Sequence, residues 1–184
     1  MMENKKYELT DETIQHDGRT LHRIRALIDI PSIGVEAGEL GGFIETEKNL
    51  FHDGNAWVGQ NACVYDCAEV YDDARVRGSA RVFGCAEVRG DAEVSDGARV
   101  YDSAKVHGDA QVYGSAQVYG SAQVFGCAEV HGKAQVYGSA DVHGSAEVFG
   151  SAEVYGFAEL YDCAEVYGSA KVHGNGEVSG GKFE

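Results

Sequence analysis

An aliphatic residue recurs at every sixth position of this chain from Val58, Val64 and Val70 to Val178, without one slip of register. A fixed short period means one structural unit repeated and stacked, and no other feature restricts the fold so much. Of these 21 positions, 20 are Val and one is Leu160. Two residues before each stands Ala, from Ala56 to Ala170, and finally Gly176. The repeat is A-x-V-x-G-x. Residues two apart share one face of a strand, so Ala and Val point one way and the residues beside Val point the other. The β-branched Val favours that strand. The position two after Val is Gly in 15 repeats, Asp in five and Gln60 in one. Gly and Asp are the types that take positive φ most readily, so each repeat ends in a corner.

A short strand and a corner cannot bury Val and Ala alone, so successive turns of chain must stack and pair their backbones in parallel. The A-x-V-x-G-x pattern resembles the hexapeptide repeat of left-handed parallel β-helix proteins, in which three hexapeptides close a triangular coil of about 18 residues. That resemblance implies an all-β, left-handed parallel β-helix of about seven coils, roughly 34 Å long at the usual strand spacing. The left hand comes from the resemblance alone, because crossovers between parallel strands are otherwise right-handed.

Residues 1–50 break the pattern and hold the single proline, Pro31. Asp17-Gly18 lies between Thr13-Ile14-Gln15 and Thr20-Leu21-His22, a strong hairpin signal. The reading is a small β cap over 1–50 and the β-helix over 51–184. A cap covers the unpaired edge and open interior of the first coil. The segment Gly38-Glu39-Leu40-Gly41-Gly42-Phe43-Ile44-Glu45 is distinctive, as are Asn49-Leu50 and Gly54-Asn55-Ala56-Trp57-Val58. Together with the repeats they resemble the bacterial and prophage-borne hexapeptide-repeat proteins of the YdcK type over nearly the whole chain. Those proteins are usually labelled transferases, a label that reflects the fold.

The formal charge of -15 disfavours duplex nucleic acid as a partner. No run of eighteen apolar residues occurs and the first residues, MMENKKYELTDETIQ, hold no apolar run resembling a signal peptide, so the expected location is the cytoplasm and no membrane partner is expected. The five cysteines contain no CxxC pair, which suggests neither a disulfide framework nor a zinc knuckle. Cys67 and Cys85 are 18 apart and should meet at one corner as free thiols.

An 18-residue coil sorts the outward residues into columns on three faces. One column, directly after Val, reads Tyr65, Phe83, Tyr101, Tyr119, Tyr137, Tyr155, His173, and the column before Val reads Cys63, Arg81, Arg99, Gln117, Gln135, Glu153, Lys171. This aromatic face carries three cations against one anion, whereas the other two carry two against four and two against five. Arg81, Arg99, Tyr101, Tyr119, Tyr137, Tyr155 and Lys171 are therefore the candidate binding residues, for an anionic small ligand or a protein partner. The tyrosines could equally serve only to stack on one another. Burial of the strip between copies predicts a homo-oligomer, and the family resemblance implies a trimer. Acyl transfer from coenzyme A, which the resemblance also implies, needs a general base, and His107 or His143 would fill that role. These two share a column with Phe125 between them, about 10 Å apart, too far to ligate one metal directly. Asp73, Asp91 and Asp109 should stack at one corner, where calcium could bridge them. Three function classes fit: a non-catalytic binding or structural module, an acyltransferase, and an acidic rod that occupies a basic site on a nucleic-acid-binding protein.

Overall fold

A computed structural model describes residues 5–184. They form a β-solenoid in which parallel strands stack into three sheets, with one 3-10 turn at Glu47–Asn49. Each short strand of the rod pairs with its counterpart in the next coil. Val58 lies against Val76, Val76 against Val94, and Val94 against Val112 on one sheet. Because side chains alternate, every Val and its Ala point inward, and both are fully buried through almost the whole rod. Every corner residue, placed two after the inward aliphatic, takes positive φ, Gln60 and the five Asp included.

The corner chemistry explains why Asp can replace Gly. The carboxylates of Asp66, Asp72, Asp96 and Asp102 accept hydrogen bonds from the backbone N–H of Gly84, Gly90, Gly114 and Gly120 at 3.1–3.2 Å. Each of these bonds joins one corner to the corner of the next coil. The cost of a left-handed backbone is thus offset by a satisfied amide.

Strand β1 (Tyr7–His16) and strand β2 (Arg19–Ala26) form the predicted hairpin, with Asp17 and Gly18 both at positive φ. Strand β3 (Leu40–Ile44) pairs antiparallel with β2 and parallel with Cys63–Val64. Parallel pairing therefore begins upstream of the first A-x-V repeat. Ile44 faces Val64 and Leu50 faces Val70, so these two residues occupy Val slots, although the coil that joins them to their partners is longer than three hexapeptides. The face that starts at β3 carries eight parallel strands, about 34 Å from first to last.

Polar side chains finish the edge that the first coil leaves open. Asn49, buried, donates from Nδ2 to the carbonyls of Asp66 and Ala68 at 3.0 and 2.9 Å. Tyr7 is buried and donates its hydroxyl to the Leu50 carbonyl at 2.7 Å while its ring stacks on His52. Buried Lys6 donates to the Gly54 carbonyl at 3.3 Å, and burial pulls its ammonium down to about 8 although Asp73 and Asp53 favour the charge.

Candidate functional site

The aromatic column becomes a ladder of stacked rings. Tyr65, Phe83, Tyr101, Tyr119, Tyr137 and Tyr155 follow one another at centroid distances of 4.8–5.1 Å with interplanar angles of 1–4°. His173 ends the ladder at 5.2 Å and 24°. The spacing is the strand spacing, which in-register parallel pairing imposes on any column. Ring faces are spent on neighbouring rings, and edges and hydroxyls are what the ladder presents outward. At its first rung the hairpin tip closes it. Tyr65 donates to Asp17 Oδ2 at 3.0 Å, and His16 meets the ring edge-on.

The hydroxyls obey a second spacing that the columns alone do not reveal. A tyrosine after one Val donates to the residue before the next Val on the same face, 16 positions later. Tyr101 reaches Gln117 at 3.4 Å, Tyr119 reaches Gln135 at 3.2 Å and Tyr137 reaches Glu153 at 3.2 Å. Tyr113 makes the same bond to Glu129 at 3.0 Å on the second face.

Arg81 and Arg99 stand directly opposite each other on adjacent rungs of the aromatic face. Neither makes an ion pair among the described residues, although the chain is strongly acidic. Lys171, the third cation of that face, is held by Glu153 at 2.9 Å. Among its eight parallel strands the face therefore offers two guanidiniums without an ion pair on the third and fourth and a neutralised cation on the last. No known family model matches this chain, and no curated protein does.

The two candidate bases differ. The His107 ring stacks on Phe125 at 5.0 Å, and burial, then Arg89 and Lys105, hold its imidazole below the ordinary range. His143 stacks on the other side of Phe125 and contacts Glu159 Oε1 at 3.0 Å. Phe125 separates them, as the column predicts. Asp73, Asp91 and Asp109 are not brought together as a ligand set; Asp73 accepts instead from the Asn55 amide side chain and backbone at 2.6 and 3.2 Å. Among the described residues the set that does converge is Glu129, His131 and Glu147. Cys67 and Cys85 carry free thiols that meet at neighbouring corners, and Cys67 pushes the Cys85 thiol up.

Two features had no clear signal in the repeat. The loop before β3 lies over the second face and leaves an open cleft of about 220 Å³ between Ile33, Leu40, Trp57 and Arg75. Phe157 occupies a corner slot that Ser139 fills one coil earlier, and it is 72% exposed. Loop packing is a tertiary event, which explains the first; nothing in the structure explains the second.

Proposed function

We propose that the protein is a non-catalytic β-solenoid that serves as a binding and structural module, docking an anionic group on its aromatic face at Arg81 and Arg99. One observation carries this reading: two guanidiniums in register on adjacent rungs, about 4.8 Å apart by strand spacing, without a carboxylate among the described residues in an ion pair with either. Like charges placed opposite each other destabilise a sheet. The same column continues as Gln117 and Gln135, so the rod does not need arginine there to fold. A phosphate or carboxylate bridging both arginines removes the repulsion and gains charge-assisted hydrogen bonds. The adjoining edges of Phe83 and Tyr101 supply apolar contact for the rest of such a ligand.

Inorganic pyrophosphate and coenzyme A are suitable probes. Titration of either should give binding that weakens with added salt and is lost in the Arg81→Gln/Arg99→Gln variant. Equal binding by the variant overturns the reading. If acetyl-coenzyme A is turned over with a range of amines and alcohols, and His107→Phe or His143→Phe abolishes it, the acyltransferase reading replaces this one.

A second reading has its own support. Residues 106–184 hold ten acidic residues and three basic ones, so the distal coils form an acidic rod suited to a basic site on a nucleic-acid-binding protein. Salt-sensitive competition with duplex DNA for a purified basic domain would favour it.

A further inference from the structure

The second face assembles three metal-ligating side chains that the anion-binding reading does not use. Glu129 and His131 flank Val130 on one rung, and Glu147 lies on the next rung directly opposite Glu129. One ligand atom from each comes within 4.8 Å of the others. His131 Nε2 lies 2.8 Å from Glu147 Oε1. The Tyr113 hydroxyl donates to Glu129 Oε2 at 3.0 Å, leaving Oε1 of that carboxylate open.

Position and charge support a ligand role independently. The His131 ring is clamped between Tyr113 and Phe149, at 4.7 and 5.2 Å and nearly parallel to both, so stacking fixes where Nε2 points. Opposed carboxylates on adjacent rungs repel, and among the described residues neither Glu129 nor Glu147 is paired with a lysine or arginine. The next carboxylate in the column, Glu165, is neutralised by Lys182 at 2.8 Å. The rod also contains its own contrast. Asp141, His143 and Glu159 repeat the spacing on the third face, yet Asp141 Oδ1 is engaged by the Gln123 side-chain amide at 3.2 Å and the three do not converge.

We propose that Glu129, His131 and Glu147 bind a divalent transition ion of the zinc class, with water completing the coordination. Bonds of about 2.0–2.2 Å to one imidazole nitrogen and two carboxylate oxygens require only small side-chain rotations from this arrangement. The imidazole favours zinc, nickel or copper over calcium and magnesium. The ion would replace the His131–Glu147 contact and cancel the repulsion between the two carboxylates.

The test is calorimetric titration of Zn²⁺ into the Cys67→Ser/Cys85→Ser protein, which lacks the adjacent thiols that also attract soft metals. One high-affinity Zn²⁺ per chain is expected. His131→Phe keeps the ladder, because Phe125 already fills the equivalent slot between His107 and His143. That variant and Glu147→Gln should each weaken Zn²⁺ binding roughly tenfold or more. His143→Phe should leave it unchanged. Circular dichroism and thermal midpoints without metal show whether each variant is folded. Absence of Zn²⁺ binding at millimolar concentration overturns the proposal, as does a folded His131→Phe that binds like the parent or a His143→Phe that loses the site.

Discussion

Tyr137 shows what the ladder does to a single residue. Burial and the bond to Glu153 push its phenol up to about 12 from an ordinary value near 10. Tyr113, half-buried and bonded to Glu129, is likewise pushed up to about 12. Folding therefore favours the neutral phenol. The unfolded chain releases the proton near pH 10, while the folded chain holds it to about pH 12. The stabilisation is complete below pH 10 and is lost as pH rises through that window. Denaturation midpoints should fall between pH 10 and 12, in step with phenolate absorbance, and Tyr137→Phe should flatten part of that fall. An unchanged alkaline profile in the variant would show that the Glu153 contact does not matter to folding.

At the scale of the repeat, the inward Val and the corner residue separate two kinds of damage. Val118 is fully buried between Val100 and Val136 on neighbouring rungs. Val118→Ala should cost about 2 kcal/mol, the transfer value of its methyl groups plus the void they leave, measured by urea denaturation. The corner at Gly108 has φ +70, and an added Cβ would meet the backbone nitrogen of Gly126 at 3.0 Å. Gly108→Val should therefore destabilise by about 1–2 kcal/mol or more, the cost of a left-handed backbone plus that contact. Gly108→Asp should cost clearly less, because its carboxylate can accept from the Gly126 N–H as Asp72 does from Gly90. Equal losses for the two variants would show that steric contact, and not the unsatisfied amide, governs the corner.

Over the whole molecule the charges are divided along the axis. Residues 1–74 carry six cations and 15 anions, residues 75–105 six and five, and residues 106–184 three and ten. A nearly neutral girdle of coils thus lies between two acidic ends, and Arg81 and Arg99 belong to that girdle. Ends of like sign repel one another, so rods should associate side by side at the girdle and not end to end. The aromatic face is where we expect copies to meet, with three chains as the expected assembly. Light scattering at tens of micromolar protein should give the mass of three chains at moderate salt, and a mass of one chain overturns this expectation. No helix among the described residues is long and apolar enough to cross a membrane.

The amino-acid sequence by itself determined the solenoid, its inward Val and Ala, its corners and the columns on its faces. It could do so because each follows from an unbroken hexapeptide period and the alternation of a strand, which are local rules repeated without exception. The hairpin at Asp17-Gly18 was legible for the same reason, since two residues alone set a tight turn. Ile44 and Leu50 were not legible as rungs, because their coil is longer than the repeat allows and neither is a Val two after an Ala. Only the tertiary structure decided how outward side chains meet. Whether Glu129 turns to His131 while Asp141 turns to Gln123 depends on rotamers and on the side chains one coil away. The sequence spacing of the two sets is identical. The closure of the aromatic ladder by Asp17 and His16 likewise depends on where the hairpin packs, a contact across 48 residues that no periodicity encodes.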